Sequence, residues 1–258
     1  MSRTFSGLIP KPLKRTLKKI ITGLWRIILQ NGLDYLGWAR YCPVCREWVR
    51  SFEPFGVVPR PDARCPACGS LERHRLAWAF FEGQTNLFDG SPKSMLHIAP
   101  EGQFEERLRQ VPGIEYLTAD LHNPRAMVKM DITDIQYPDN SFDVIYCSHV
   151  LEHVPDDRKA MSELRRVLKA DGWALILVPV TAEKTFEAPS VTDPAQRERL
   201  LGQYDHVRRY GPDFENRLEE AGFTVTRICS TDIMSMQNIV RLGVQREEIF
   251  LCHKRKWG

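Results

Sequence analysis

The sequence predicts an α/β fold in which a largely parallel sheet is covered by helices on both faces. Residues 142–147 form a short run rich in β-branched and aromatic side chains, and a polar turn precedes them at residues 139–141. A strand that is apolar along nearly its whole length fits a parallel sheet buried on both sides. Apolar residues then recur at helical spacing from Asp156, Gly172 is expected to close that helix, and residues 173–178 form a second apolar strand. This order predicts a βαβ unit.

Polar residues follow the first of these two strands. Ligands of doubly wound sheets bind beyond the carboxyl ends of the strands. Here that end carries Ser148 and His149, with Glu152 and His153 close behind. His149 is a candidate for contacting a ligand, and the alternative is a hydrogen-bonded structural histidine. Glu152 and His153 are expected to be structural.

The stretch at residues 141–156 reads Ser-Phe-Asp-Val-Ile-x-x-x-His-Val-Leu-Glu-His-Val-x-Asp, and Leu-x-x-Val-Leu-Lys-x-x-Gly-Trp follows. This pattern resembles the fourth and fifth strands of class I S-adenosylmethionine (SAM) dependent methyltransferases, and among them the methyltransferase type 11 group. The resemblance covers residues 94–258. It implies a doubly wound, seven-stranded, Rossmann-like sheet, SAM as the cofactor, and methyl transfer by in-line displacement.

The resemblance also assigns cofactor contacts to the ends of the earlier strands. Residues 94–99 occupy the position of the family's glycine-rich first motif, but the loop that follows contains a single glycine, Gly102. Ala99 is small enough for a close backbone approach, and Glu101 is placed to face the cationic end of SAM.

The next two strands end in acids. Residues 114–120 form a strand that ends at Asp120, which by resemblance binds the ribose hydroxyls, with Leu121 beside it. Asp131 ends a third strand and by resemblance meets the adenine amino group, while the backbone N–H of Ile132 meets a ring nitrogen. Ser148 and His149 complete the expected cofactor contacts. The alternative is that Asp131 and Asp134 are turn-capping acids.

Four of the seven cysteines form two C-x-x-C pairs that are nineteen residues apart. Cys42, Cys45, Cys65 and Cys68 therefore predict a tetrahedral zinc site with four thiolate ligands. Four thiolates close the coordination sphere, so the zinc is expected to be structural; the alternative is a redox dithiol without metal. A strand at residues 48–52 and a loop at 54–61 would complete a zinc ribbon over residues 41–70.

A helical linker is expected at residues 71–93, after the ribbon. Ser70 is a candidate N-cap for its helix, because a serine hydroxyl can accept a backbone N–H in the first turn. Arg73, His74 and Arg75 lie in that first turn. These residues either line the junction between ribbon and sheet or cover a substrate.

The basic charge of the chain is concentrated at its start. The formal net charge is +3, but residues 1–40 hold eight Lys or Arg against one acid, so they carry +7 and the remainder carries −4. Residues 11–30 read as a basic amphipathic helix with Trp25 as an interfacial anchor. It is expected to pack on its own domain or a second copy, to lie on a membrane surface, or to contact nucleic acid. Charges interrupt it before it could span a bilayer.

The segment at residues 181–211 is expected to be an insertion that covers the active site. It groups an acid, a candidate base and a cation in one short turn: Asp205, His206 and Arg208. His206 is the first candidate for a catalytic base and His149 the second. The alternative is that this turn is a salt-bridged loop anchor. A helix at residues 213–221 and strands at 223–229 and 248–252 then complete the sheet.

These patterns lead to one expected function and two alternatives. The expectation is a SAM-dependent methyltransferase that acts on an unidentified small or lipid-linked acceptor, since the body of the protein is acidic. The alternatives are an RNA methyltransferase and a catalytically silent SAM-fold binding module, the latter because the first motif lacks glycines. A nicotinamide dehydrogenase is disfavoured by the absence of G-x-G-x-x-G. No secretory leader is recognised, so the expected location is cytoplasmic, with peripheral membrane attachment as an option.

Overall fold

The computed structural model describes residues 36–56, 58–245 and 247–255. The predicted basic helix at residues 11–30, and with it the Trp25 anchor, lies outside the described residues. The thirteen described strands are β1 (Arg40–Cys42), β2 (Glu47–Val49), β3 (Glu53–Phe55), β4 (Arg60–Arg64), β5 (Lys93–Ile98), β6 (Ile114–Asp120), β7 (Val128–Lys129), β8 (Phe142–Ser148), β9 (Leu168–Leu177), β10 (Phe186–Glu187), β11 (Arg208–Arg209), β12 (Phe223–Cys229) and β13 (Glu248–Lys254). The described helices are α1 (Glu72–Gln84), α2 (Gly102–Leu108), α3 (Asp157–Val167), α4 (Pro194–Leu201), α5 (Phe214–Glu220), α6 (Ser230–Ile233) and α7 (Met236–Leu242).

Among the described residues, seven strands form one central sheet in the order β12-β13-β9-β8-β5-β6-β7. Strands β5 to β9 pair in parallel, whereas β13 runs antiparallel to both of its neighbours, β9 and β12. The order reverses direction at β5, from which the chain steps outward to β6 and β7 and then returns to β8. This topology confirms the predicted doubly wound, seven-stranded sheet.

Both faces of the sheet are covered, which explains why its inner strands are apolar. One face packs against α3 and α5 through a buried cluster that includes Met161, Leu164 and Leu218. The other face packs against α1 and α2 through a second cluster, to which the cysteine-rich segment also contributes, for example through Val49 and Phe52. The cysteine-rich segment therefore shares its apolar core with the sheet.

The junction of α3 and β9 differs from the sequence-based expectation. Helix α3 ends at Val167 rather than at Gly172, and β9 begins at once with Leu168. Gly172 lies inside the strand, where a Cβ atom would come within 2.7 Å of the Asp143 carbonyl oxygen. The glycine permits a close approach of β8 and β9 instead of ending a helix.

The cysteine-rich segment contains two small antiparallel pairs, β1 with β2 and β3 with β4. The predicted strand at residues 48–52 and loop at 54–61 were therefore wrong in detail. Pro54 lies in β3 and Pro61 in β4, where a two-stranded pair has open edges and tolerates a residue without an N–H. Ser70 is not the N-cap either: Leu71 occupies that position, and the Ser70 hydroxyl lies 3.1 Å from the Cys42 sulfur.

Within the described residues, no helix has the length and apolar character needed to cross a membrane.

Candidate functional site

The carboxyl ends of β5, β6 and β8 meet at one edge of the sheet and bring the predicted cofactor residues together. Ala99 follows β5, and its backbone N–H donates to the Ala119 carbonyl of β6 at 2.8 Å. His149 follows β8, and its N–H donates to Leu177 at 2.9 Å. Ala99 and His149 have φ angles of +50° and +55°. A left-handed backbone at a non-glycine residue costs on the order of 1–3 kcal/mol, and such strain is concentrated at functional sites.

Asp120 ends β6 as expected, whereas Asp131 lies two residues beyond the short β7 and does not end the third strand. Each of these two acids caps a turn with one oxygen. Oδ1 of Asp120 accepts the backbone N–H groups of His122 and Asn123 at 2.6 and 2.7 Å. Oδ1 of Asp131 accepts the backbone N–H and the hydroxyl of Thr133, both at 2.8 Å. Among the described residues, Oδ2 of either acid accepts no hydrogen bond. The turn-capping alternative therefore holds for one oxygen of Asp131, and the second oxygen of each acid is available to a ligand.

The remaining predicted cofactor residues of this edge differ in exposure. Ser148 is buried, and its hydroxyl makes no hydrogen bond of good geometry within the described residues. Ile132 is buried as well, whereas Leu121 is 40% exposed. A Cβ atom on Gly102 would meet nothing within 4 Å, so there is open space beside the first motif loop.

Glu101 of that loop is held by the first turn of α1. Its Oε1 accepts from Arg73 Nη2 at 2.8 Å and lies 2.7 Å from His74 Nε2. The Leu71 backbone N–H donates to His74 Nδ1, so the ring proton is on Nε2, the nitrogen next to Glu101. Burial would raise the pKa of Glu101, but His74 and Arg73 outweigh it and hold the pKa at about 2. Oε2 has no hydrogen-bond partner within the described ranges, and the predicted contact of Glu101 with SAM stays a prediction.

Arg73 and His74 also line an open cleft between the cysteine-rich segment and the first motif loop. The cleft has a volume of about 580 Å³. Arg75, in contrast, is fully buried and contacts only protein groups of the junction. The two roles considered for this turn are thus divided among its residues. Arg75 lies in the junction between the cysteine-rich segment and the sheet, whereas Arg73 and His74 border the open cleft.

The insertion folds back onto the loop that follows β8. The Val207 N–H donates to the Glu152 carbonyl at 2.9 Å. Arg208 is buried and donates to the carbonyls of Leu151, Val154 and Pro155. Arg208 also lies at ion-pair distance from two carboxylates. It therefore anchors the insertion to the loop after β8, which is the second of the two roles considered for this turn.

This folding places Asp205 and His206 against the histidines that follow β8. The rings of His153 and His206 meet edge to face with centroids 4.7 Å apart. His149 Nδ1 lies 3.4 Å from Glu152 Oε1, and His153 Nδ1 lies 3.2 Å from Asp205 Oδ2. Glu152 and His153 were expected to be structural, yet they belong to the same cluster as His206. The sequence contained a signal for this placement, because Glu152 and His153 closely follow the carboxyl end of β8, where ligands of such sheets bind.

Burial and neighbouring charge set the protonation of this cluster. Burial would raise the pKa of Glu152, but the adjacent His149 outweighs it and the pKa is lowered. Burial lowers the pKa of His206, whose Nδ1 lies 3.0 Å from the Leu201 carbonyl oxygen. A carboxylate and a neutral imidazole therefore face each other, an arrangement that can accept a proton or bind a cation.

The four paired cysteines form a second, separate cluster. Their sulfur atoms all lie within 4.8 Å of one another, with Cys42–Cys68 at 3.7 Å and Cys45–Cys65 at 3.9 Å. Both knuckles turn in the same way: Arg46 N–H donates to Cys42 and Gly69 N–H to Cys65, each at 2.8 Å. Arg46 and Gly69, which directly follow Cys45 and Cys68, have positive φ angles of +63° and +75°.

Comparison with known proteins shows similarity to methyltransferases. Residues 89–176, about a third of the chain, match the family model described as a methyltransferase domain. A demethylmenaquinone methyltransferase of Listeria monocytogenes is 35% identical over 80 residues, which are 29% of this chain and 33% of that protein. The chain thus spans about a third of the length of the curated relatives it matches.

Two solved structures share the fold at low sequence identity. The [4+2]-cyclase SpnF has a TM-score of 0.54 at 13% identity, and the match covers 95% of this chain and 97% of that chain. A 1,6-didemethyltoxoflavin-N1-methyltransferase of Burkholderia thailandensis, solved with its substrate and S-adenosylhomocysteine, has a TM-score of 0.50 at 15% identity, covering 72% of this chain and 78% of that chain. Residues 89–176 are thus similar to a methyltransferase domain, and the central sheet has the Rossmann-like fold found in SAM-dependent methyltransferases.

Proposed function

We propose that the protein is a SAM-dependent methyltransferase. The observation that carries the proposal is the convergence of Ala99, Asp120, Ser148 and His149 at the edge where β5, β6 and β8 end. This edge fits SAM because it offers Asp120 Oδ2 for the ribose hydroxyls and, two strands away at the end of β8, the Ser148 hydroxyl, which makes no hydrogen bond with the described residues. The proposed contacts are those predicted from the sequence: Ala99, Glu101, Asp120, Leu121, Asp131, Ile132, Ser148 and His149.

SAM supplies an activated methyl group when it is bound. The work left to the protein is to hold the acceptor in line and to keep water out. A base is needed where the acceptor is a hydroxyl, and His206 and His149 are the candidates. His206 Nε2 is buried without a hydrogen-bond partner among the described residues, and burial lowers its pKa, so the imidazole is neutral and can accept a proton.

The proposed acceptor is a small or lipid-linked molecule. The match to a demethylmenaquinone methyltransferase supports a quinone-type acceptor, although it extends over only 80 residues. Asp205 and His206 are proposed to border the acceptor, since they face the end of β8. Arg208 is not part of this proposal, because its guanidinium is used by backbone carbonyls.

The four cysteines are proposed to hold a structural zinc ion. A tetrahedral zinc–thiolate site with bonds of about 2.3 Å separates its sulfur atoms by roughly 3.8 Å. The sulfur distances of 3.7 and 3.9 Å agree with that spacing. Since four thiolates leave no open coordination position, the ion would stabilise the segment and take no part in chemistry.

A second candidate is a SAM-fold module that does not transfer methyl groups. It is favoured by the glycine-poor first motif, whose Glu101 is already neutralised by Arg73. The structural neighbour SpnF, whose match covers 95% of this chain, is named a [4+2]-cyclase. A protein with this fold can therefore be named for a reaction other than methyl transfer.

Calorimetric titration of the zinc-loaded protein with SAM and with S-adenosylhomocysteine tests the proposal. Asp120→Asn should bind SAM about 10- to 100-fold more weakly, because it loses a charge-assisted hydrogen bond while Oδ1 can still cap the turn. Asp134→Asn changes an exposed acid of a neighbouring loop and should bind like wild type. Absence of SAM binding by folded, metal-loaded wild type would refute the proposal. Saturable binding without turnover of hydroxyl or quinol acceptors would favour the second candidate.

A further inference from the structure

Three side chains beside the end of β8 form a compact set of metal ligands that the methyl-transfer proposal does not use as such. Glu152 and His153 come from the loop after β8, and His206 comes from the insertion. One ligand atom of each lies within 4.8 Å of the other two. Two imidazoles and one carboxylate are a typical ligand set for divalent first-row transition metals.

Both histidines are oriented by a partner on Nδ1. His153 Nδ1 lies 3.2 Å from Asp205 Oδ2, and His206 Nδ1 lies 3.0 Å from the Leu201 carbonyl oxygen. A carboxylate or carbonyl in this position fixes the tautomer with the proton on Nδ1 and leaves the Nε2 lone pair for a metal. The two rings are therefore arranged as metal-bound histidines usually are.

The Glu152 carboxylate and Nε2 of His206 are buried and lack hydrogen-bond partners among the described residues. Glu152 is 1% exposed, and neither of its carboxylate oxygens makes a hydrogen bond within the described residues. His149 Nδ1 is at ion-pair distance, 3.4 Å from Oε1. His206 is 6% exposed, and its Nε2 also lacks a hydrogen-bond partner. Buried polar groups without partners cost about 1–3 kcal/mol each, and one bound cation would satisfy the Glu152 carboxylate and His206 Nε2 together.

The backbone holds these two segments together before any ligand binds. The Val207 N–H donates to the carbonyl of Glu152, and Arg208 ties the insertion to the carbonyls of the same loop. The Tyr210 hydroxyl adds a hydrogen bond to Asp157 at 2.7 Å. An ion would therefore bind to a largely preformed site rather than having to order two loops.

We propose that Glu152, His153 and His206 bind one divalent transition-metal ion, oriented by Asp205 and Leu201. Bonds of about 2.1 Å would bring the donor atoms to roughly 3.4 Å from each other, which requires small side-chain rotations only. His153 is about one-third exposed, so an ion with three protein ligands keeps a position open to solvent or to an acceptor oxygen. With the ion bound, His206 is a ligand, and His149 is left as the base.

Titration of the zinc-loaded protein with Co²⁺, followed by calorimetry and visible absorption, tests metal binding independently of methyl transfer. Wild type should bind one Co²⁺ per chain in addition to its zinc. Glu152→Gln and His206→Asn should each weaken binding at least tenfold. His253→Asn replaces an exposed histidine of β13 and should bind Co²⁺ like wild type. The proposal is overturned if wild type takes up no Co²⁺ beyond the cysteine site, or if both ligand variants bind as tightly as wild type.

A second measurement covers the case in which a variant fails to fold. Circular dichroism and zinc content identify such a variant, and wild type then carries the test alone. Paramagnetic broadening by Co²⁺ in NMR spectra of the wild type should centre on the rings of His153 and His206. Broadening centred on other histidines, such as His122 or His253, would place the ion elsewhere and refute the assignment.

Discussion

The buried guanidinium of Arg75 fastens the cysteine-rich segment to the sheet, and its loss should destabilise the whole fold. The side chain has no exposed surface. It donates hydrogen bonds to five backbone carbonyl oxygens, those of Asp62, Ala63, Ser70, Leu242 and Gly243. Two of these belong to β4, one to the turn before α1 and two to the end of α7. The guanidinium also stacks on the Phe52 ring at 3.9 Å.

The expected loss for Arg75→Met follows from these contacts. Hydrogen bonds from a charged donor contribute about 1.5–3 kcal/mol each, so five of them amount to roughly 10 kcal/mol before the cost of burying the charge. That cost is several kcal/mol, and burial accordingly lowers the pKa of Arg75. The net loss of unfolding free energy should be on the order of 3–5 kcal/mol, because methionine leaves five buried carbonyls without a donor.

Denaturant unfolding at a constant zinc concentration measures this loss. Arg241→Met is the matched control, since its exposed guanidinium lies 5.6 Å above the Trp48 ring at the end of the same helix α7, and its loss should stay below about 1 kcal/mol. The loss of unfolding free energy for Arg75→Lys should lie between those for Arg75→Met and Arg241→Met, because an ammonium has three donors for five acceptors. If Arg75→Met loses no more unfolding free energy than Arg241→Met, the proposed fastening of the cysteine-rich segment by Arg75 is refuted.

Two further predictions concern Glu101 and the cysteines. The pKa of Glu101 is about 2 in the folded protein against 4.5 ordinarily, so its contribution of roughly 3 kcal/mol is present above pH 4.5 and is lost as the pH falls toward 2. Glu101→Gln should therefore flatten the fall in unfolding free energy across that pH window, and an unchanged slope would contradict the assignment. Cys45→Ser should remove the zinc and lower the thermal midpoint, whereas Cys229→Ser in β12 should retain one zinc per chain by elemental analysis. Equal zinc content in both variants would exclude the four-cysteine site.

The existence and type of most sheet strands could be predicted from sequence because their signals are local, whereas the doubly wound, seven-stranded arrangement was implied by the family resemblance. Strands β6 and β12 have the bounds expected from their apolar runs, residues 114–120 and 223–229. The cysteine spacing predicted one four-sulfur cluster, which the structure contains. The prediction was wrong where the role of a residue depends on a neighbouring strand. Gly172 was expected to end a helix, but it lies in β9 and allows β8 and β9 to approach closely.

The functional site depended on contacts that no local pattern contains. The sequence by itself determined that His149, Glu152 and His153 follow β8 and that His206 lies in an insertion. Only the tertiary structure decided that the Glu152 carboxylate and Nε2 of His206, from residues more than fifty positions apart, are buried close together without a hydrogen-bond partner in the described part of the chain. It likewise made Arg208 an anchor, although both it and His206 read as candidate substrate residues. The physical reason is that a titratable side chain acquires its role from burial and partners, and both are set by how distant segments pack.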